Sequence, residues 1–140
     1  MKYFIDTNII IDLLNNDEEA KRQLKALFLQ EGSELFINRL IVMETLRTIH
    51  FAHKKVFREA EKKLTLFRQV DIKPKIYKDA VAFSRFCHSK GIKLKGKCEA
   101  IDFLHFMTAK YYTLKIISND RDMPKLEDGY EKFLESQTDV

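Results

Sequence analysis

Hydrophobic residues in this chain follow two alternating patterns. Short apolar runs predict buried strands at 3–5, 35–37 and 115–118. Between and after these runs, apolar residues recur at helical spacing. The predicted helices cover 9–15, 18–30, 39–49, 54–70, 74–90 and 99–112. Because strands and helices alternate, the pattern predicts an α/β fold with a mostly parallel sheet and right-handed crossovers.

Polar and special residues mark the ends of these elements. Asp17 and Asn38 are suited to cap the helices that follow them, and Pro74 to begin the next one. A basic loop from Gly91 to Lys97 has a glycine near each end and is expected to be flexible. The last segment, with a predicted turn at 128–129, is expected to form an edge strand or a terminal helix.

Composition narrows the class of protein. A chain of 140 residues with 45% hydrophobic residues predicts a single domain over 1–140, and its 11 Phe are expected in the core. The thiols of Cys87 and Cys98 are too few for a disulfide framework and are expected to be buried. With no signal peptide, they indicate a cytoplasmic protein. No stretch is apolar and long enough to cross a bilayer, which argues against a membrane protein.

Charge is distributed unevenly along the chain. Residues 53–97 contain 14 Lys or Arg and 4 Asp or Glu, a net charge of +10, whereas the whole chain carries +4. This pattern is compatible with solvated helical faces. It is also the pattern expected of a surface that binds a polyanion beside a cation-binding centre.

Acidic residues follow the predicted strands at positions where parallel strands deliver ligand-binding groups. Asp6 follows the first strand, and Asp120 and Asp122 follow the last one. The carboxyl ends of parallel strands meet at one edge of a sheet, where ligands bind. Asp6 could instead serve only as a helix cap.

Two further acids lie in apolar surroundings. Glu44 is the only acid between residues 35 and 55, and Asp102 lies in the first turn of an apolar helix. An ion pair with Arg39 or Arg47 could account for Glu44. The helix dipole could account for Asp102.

If these acids converge, their mutual repulsion must be neutralised. Protons, Lys or Arg side chains, or divalent cations could do so. Ligands that are all oxygen favour Mg²⁺ or Mn²⁺ over zinc. Two such ions held about 3.5–4 Å apart would orient a water molecule for attack on a phosphodiester and stabilise the leaving oxygen.

Four motifs, in this order along the chain, resemble those of PIN-domain ribonucleases, and most of all the small VapC toxins of toxin–antitoxin pairs. They are Asp6-Thr7-Asn8, Glu44, Asp102 seven residues before Ala109, and Ser118-Asn119-Asp120-Arg121-Asp122. The resemblance spans nearly the whole chain. It implies a three-layer α/β/α PIN-like fold with a central, mostly parallel sheet.

The resemblance also implies a function and a set of site residues. The function is Mg²⁺- or Mn²⁺-dependent endonucleolytic cleavage of RNA such as tRNA or rRNA, by a homodimer that a cognate antitoxin inhibits. Asp122 would support the metal directly or through water. Thr7, Asn8 and Ser118 would hold the carboxylates in position. The implied catalytic and metal-binding residues are Asp6, Glu44, Asp102 and Asp120.

The basic loop gains a role if the substrate is RNA. Lys93, Lys95 and Lys97 are expected to guide the RNA backbone toward the acids, because Lys and Arg contacts to phosphate supply affinity without sequence information.

Two rival functions are compatible with the pattern. One is a non-catalytic RNA-binding module with the same fold. The other is a phosphoryl-transfer enzyme that uses Asp6 as its nucleophile, although phosphatases of that kind usually have a second Asp where this chain has Asn8.

Overall fold

The structure is a computed structural model that describes residues 1–96 and 98–138. These residues form two compact units. Unit 1 contains 1–71 and 113–119, and unit 2 contains 72–112 and 120–138. The assignment of 1–140 to a single domain stays a prediction. None of the helices in the described residues has the length and apolar character needed to cross a membrane.

Unit 1 is built on a parallel sheet. Its elements are β1 (Lys2–Ile5), α1 (Thr7–Leu14), α2 (Glu18–Leu29), β2 (Glu34–Ile37), α3 (Arg39–Leu46), α4 (Lys54–Leu64), β3 (Arg68–Gln69) and β4 (Lys115–Ile117). In the described residues the sheet has the order β3-β2-β1-β4, and every neighbouring pair is parallel. Phe4 of β1 pairs with Phe36 on one side and Ile116 on the other. β1 is therefore a central strand.

Local sequence explains how the elements of unit 1 begin. Tyr3, Phe4 and Ile5 are all buried, as expected of a strand in the interior of a parallel sheet. The predicted caps are confirmed. Asp17 Oδ1 accepts a hydrogen bond from Ala20 N, and Asn38 Oδ1 accepts one from Ile41 N, both at 2.9 Å.

The predicted helix over 54–70 is wrong at its carboxyl end. α4 stops at Leu64, and the chain then forms β3, which pairs with β2. The Val70 amide donates to the Ile37 carbonyl at 2.9 Å, so the backbone is satisfied by the sheet instead of by a helix. Apolar spacing alone could not reveal this pairing, because its partner lies some 30 residues earlier in the chain.

Unit 2 is a helical unit with an aromatic core. Its elements are α5 (Pro74–Ser89), α6 (Glu99–Tyr111) and α7 (Met123–Thr138). Phe83 of α5 is fully buried. Its ring centroid lies 5.3 Å from that of Phe103, 5.6 Å from Phe106 and 5.4 Å from Phe133. One side chain thus joins all three helices.

The predicted turn at 128–129 is wrong, and of the two forms expected for the last segment the helix is the one found. α7 runs without interruption through Gly129, which is buried. A methyl group at Gly129 would lie 3.3 Å from Ile92 Cδ1 and 3.4 Å from Cys87 Sγ. The glycine therefore allows close packing and does not mark a turn.

Burial differs from expectation for some thiols and phenylalanines. Cys87 is buried, but Cys98 is exposed. Burial, and secondarily the negative charge of Glu99, raises the pKa of the Cys87 thiol to about 11, so this thiol stays protonated at neutral pH. Phe28 and Phe57 are partly exposed, and Phe51 is 92% exposed. Not all phenylalanines belong to the core.

Candidate active site

In unit 1, the Asp6 carboxylate is fixed at the carboxyl edge of the sheet. Asp6 follows β1 and caps α1, and its Oδ1 accepts a hydrogen bond from Thr7 N at 2.8 Å. Ser118, which follows β4, donates from its hydroxyl to Asp6 Oδ2 at 2.7 Å. The ends of two neighbouring strands thus hold one half-buried carboxylate from both sides.

Glu44 joins this group through Thr7. Because Asn38 caps α3 directly after β2, Glu44 is carried on the helix that leaves the same edge of the sheet. The Thr7 hydroxyl donates to Glu44 Oε1 at 2.8 Å. Thr7 therefore contacts one carboxylate with its backbone and a second with its side chain. The hydrogen bond from Thr7 is a second explanation for the position of Glu44, in addition to the ion pair with Arg39 or Arg47 that the sequence suggested. That ion pair stays a prediction.

Asn8 connects the start of α1 to the chain after β4. Its Nδ2 donates to Ser118 Oγ at 3.5 Å, and its Oδ1 accepts from Asn119 N at 3.5 Å. Both contacts are long and weak. Unit 1 thus brings together five of the residues expected at the site: Asp6, Thr7, Asn8, Glu44 and Ser118.

Unit 2 contains the remaining acids. Asp122 is 1% exposed, and its Oδ2 accepts hydrogen bonds from Lys95 N at 2.7 Å and Gly96 N at 3.1 Å. The Asp122 amide in turn donates to Asp120 Oδ1 at 2.9 Å. Asp102 lies in the first turn of α6 beside Gly96, where an added methyl group would be 2.5 Å from Asp102 Oδ2. The backbone at 95–96 thus lies against two of the three acids.

The basic loop is held in place at several points. Gly91 ends α5 with φ of +70°, a conformation that favours glycine. Leu94 is buried, and the Lys93 carbonyl accepts a hydrogen bond from Lys125 Nζ at 3.2 Å. These contacts indicate a loop that is held in place, whereas the sequence predicted a flexible one. Lys93 and Lys95 are exposed, whereas Lys97 lies outside the described residues.

The chemistry of the acids fits a hard divalent cation. The donors are all carboxylate oxygens, the ligands preferred by Mg²⁺ and Mn²⁺. Asp122 Oδ1 is buried and has no hydrogen-bond partner in the described part of the chain, but Lys125 Nζ lies 3.8 Å from it, so this oxygen does not by itself indicate a metal ion. Within 1–96 and 98–138, however, no group of three or more His, Cys, Asp or Glu side chains is already arranged to hold a metal ion. The acids therefore match a divalent cation in the type of donor atom, and the described residues show no preformed arrangement of ligands.

The sequence alone gave Gly96 and Lys125 no specific role. From the sequence, Gly96 was expected only to make the loop flexible. The structure shows that it lets the loop backbone approach the Asp102 carboxylate closely. A glycine between two lysines could have suggested such a contact. Lys125 gave no signal, because its role depends on the Lys93 carbonyl 32 residues away.

A family model establishes the relationship of this chain to known proteins. The model of the PIN domain matches residues 3–129. The chain belongs to the PIN domain family. PIN domains are generally nucleases, which act on nucleic acids as hydrolases. Together with the parallel sheet, the match confirms the fold class predicted from the sequence.

Solved structures with the same fold include chains of toxin–antitoxin complexes. VapBC2 from Rickettsia felis, bound to a DNA fragment from its promoter, aligns with a TM-score of 0.75 and 16% identity over 90% of this chain and 93% of that chain. A toxin–antitoxin complex from Klebsiella pneumoniae gives 0.63 and 23%, over 84% and 86%. FitAcB from Neisseria gonorrhoeae gives 0.65 and 20%, over 86% and 88%. No curated protein matches the sequence.

Proposed function

We propose that this PIN domain is a metal-dependent endoribonuclease and the toxin of a VapBC-type toxin–antitoxin pair. The main support is the chain of hydrogen bonds that runs from Ser118 through Asp6 and Thr7 to Glu44. A carboxylate that only capped a helix would not need a hydroxyl from the residue that follows another strand and a link to a second carboxylate.

We assign Mg²⁺ or Mn²⁺ binding to Asp6, Glu44, Asp102 and Asp120, as the order of the motifs in the PIN family implies. When bound, the ion would activate water and stabilise the leaving oxygen of the phosphodiester. Thr7 and Ser118 orient the Asp6 carboxylate by one hydrogen bond to each oxygen. A carboxylate oxygen has two lone pairs, so each Asp6 oxygen keeps one for a cation.

Cleavage assays test the assignment directly. Purified protein should cut a labelled single-stranded RNA or a tRNA mixture in Mg²⁺ or Mn²⁺, lose this activity in EDTA, and regain it when the ion is restored. Cleavage that persists in EDTA would exclude metal dependence. RNA binding without cleavage under any of these ions would favour the non-catalytic module instead.

The basic loop is proposed to contact the RNA backbone. The side chains of Lys93 and Lys95 are exposed on a loop whose backbone is tied to Asp122, so their charges are presented from a fixed position. Such contacts add to affinity regardless of sequence. The third lysine of this proposal, Lys97, is two residues after Lys95 in the sequence.

Replacing Lys93, Lys95 and Lys97 together by Ala should weaken RNA binding and flatten its salt dependence. Each phosphate contact contributes about 0.7 to the slope of log K against log salt for a single strand, so the slope should fall by about 2. Fluorescence anisotropy at several salt concentrations measures it. A matched control replaces the exposed Lys2, Lys25 and Lys132, which lie outside the basic segment. An unchanged slope in the loop variant would refute the contact.

An exposed apolar groove on α3 and α4 supports the proposal of a protein partner. The groove encloses about 400 Å³ and is lined by Leu46, Ile49, Phe51 and Phe57, with Lys54, Arg58 and Glu61 among its polar residues. Phe51 and Phe57 are both exposed in this groove, and neighbouring exposed apolar side chains are typical of a protein interaction site. We propose that an acidic segment of the antitoxin with an apolar face binds here, because two basic residues and one acidic residue border the groove.

A Phe51→Asp variant should lose the complex with the protein encoded next to it in the genome. Co-expression, affinity purification and light scattering would show a complex for the wild type and a free toxin for the variant. Leu29→Asp, at a site 75% exposed on α2, is the control and should retain the complex. The PIN domain alone is expected to be a homodimer. Should Phe51→Asp abolish that dimer and leave the complex intact, a second copy and not the antitoxin covers the groove.

A further inference from the structure

Asp122 is the best-anchored carboxylate of unit 2. It is 1% exposed, and one oxygen, Oδ2, accepts hydrogen bonds from two successive backbone amides, those of Lys95 and Gly96. Hydrogen bonds to an ionised acceptor are stronger than neutral ones. Three residues further on, Lys125 Nζ donates to the Lys93 carbonyl. Asp122, directly before α7, and Lys125, in the first turn of α7, therefore hold residues 93, 95 and 96 of the loop.

The position of this loop is coupled to that of Asp102. A methyl group at Gly96 would be 2.5 Å from Asp102 Oδ2, a separation that side-chain carbons do not reach. The φ angle of Gly96 is not in the left-handed region, so space is what requires the glycine. The loop backbone is thus packed directly on the Asp102 carboxylate, and a shift of the loop would change the space available to that carboxylate.

Asp122 is poorly suited to bind a metal ion itself. The two amides occupy both lone pairs of its Oδ2. Its Oδ1 is buried, and Lys125 Nζ lies 3.8 Å away, so a positive charge already lies beside this oxygen. A metal ion would have to displace backbone donors or approach an ammonium group.

We propose that Asp122 is a positioning residue: it anchors the loop so that Gly96 packs on Asp102, and it does not bind the metal. Its effect on metal binding rests on the proposed nuclease function. The anchoring of the loop does not, and can be measured separately.

Hydrogen exchange of the Lys95 and Gly96 amides tests the anchor. The carboxamide oxygen of Asp122→Asn can still accept both hydrogen bonds, so exchange should stay within a few-fold of the wild type. Asp122→Ala removes the acceptor, and exchange of these two amides should become about ten- to a hundredfold faster. Amides in the middle of α6 report whether unit 2 stays folded. Unchanged exchange in Asp122→Ala would overturn the anchor.

Mn²⁺ affinity, measured by electron paramagnetic resonance, distinguishes positioning from ligation. Asp122→Asn should bind Mn²⁺ nearly as the wild type does, and Asp122→Ala about 10- to 100-fold more weakly. Asp120→Asn, which removes a proposed ligand, sets the scale for loss of a carboxylate. If Asp122→Asn loses affinity as far as Asp120→Asn while its loop amides stay protected, Asp122 is a ligand and the proposal fails.

Gly96→Ala tests the same coupling without removing any carboxylate, and serves if Asp122→Ala does not fold. The added methyl should push the loop and the Asp102 carboxylate apart, whichever of the two moves, and weaken Mn²⁺ binding. If the loop is the part that moves, exchange of the Lys95 amide should also become faster. Wild-type values for both would refute the coupling. Should the wild type bind no Mn²⁺, the nuclease proposal fails, and the exchange rates still decide whether Asp122 anchors the loop.

Discussion

An Asp6→Asn variant is expected to fold normally and to lose RNA cleavage by at least about 100-fold, since loss of even an outer partner of a metal ligand lowers activity 10- to 100-fold. The structure explains why folding should survive. The carboxamide oxygen can still accept from Thr7 N, and its NH₂ can donate to the Ser118 hydroxyl, so both contacts are replaced. Asn is as good a helix cap as Asp. Only the charge that would attract a cation is removed.

Cleavage of labelled RNA in Mn²⁺, with circular dichroism to check folding, measures this effect. Bacteria that express the variant should also grow without any inhibition that expression of the wild type causes. Asp128→Asn is the matched control, because it makes the same change at an exposed position on α7 and should leave cleavage unchanged. Undiminished cleavage by a folded Asp6→Asn protein would rule out the proposed nuclease mechanism.

Phe83→Ala should have the largest effect on stability, about 3–5 kcal/mol in the free energy of unfolding. Phe83 is fully buried and packs on aromatic rings of both other helices of unit 2. Removing its ring would leave a cavity, because Phe106 and Phe133 also pack on Tyr130 and are held away from the space. Since small proteins are stable by only about 5–15 kcal/mol in total, this loss should remove a large fraction of the free energy of unfolding.

Urea denaturation followed by circular dichroism measures this loss, because the chain has no Trp to report by fluorescence. For a slope of about 2 kcal/mol per M, the midpoint should fall by about 2 M. Phe51→Ala is the control: the same substitution at a side chain that is 92% exposed should shift the midpoint very little. Equal shifts in the two variants would show that the aromatic cluster does not stabilise unit 2.

Most of the secondary structure followed from local patterns. Asp17, Asn38 and Pro74 each act within a few residues of their position, and each lies at the helix start that the sequence predicts. The failures were non-local. β3 forms because Val70 pairs with Ile37, and Gly129 is needed because α7 packs closely on Cys87 and Ile92. Neither contact leaves a periodic signal.

The acids of the candidate site could be proposed from order and spacing, because strand ends of a parallel sheet meet at one edge. The groups that hold these acids in position could be predicted only in part from order and spacing. Thr7 and Ser118 were expected to support the carboxylates, but the link from Thr7 to Glu44 spans 37 residues and appears only in the structure. The two amides that bind Asp122 belong to a loop that the sequence marked as flexible.

By itself, the sequence determined the alternation of elements, the helix caps and the set of acids, because these depend on residue type and on neighbours close in the chain. Tertiary structure alone decided what those acids contact. It tied Asp6 to Ser118 across 112 residues and turned Asp122 toward the backbone of a lysine loop. The physical reason is that a carboxylate can accept hydrogen bonds from any donor within reach, and the fold, not the local sequence, brings donors within reach.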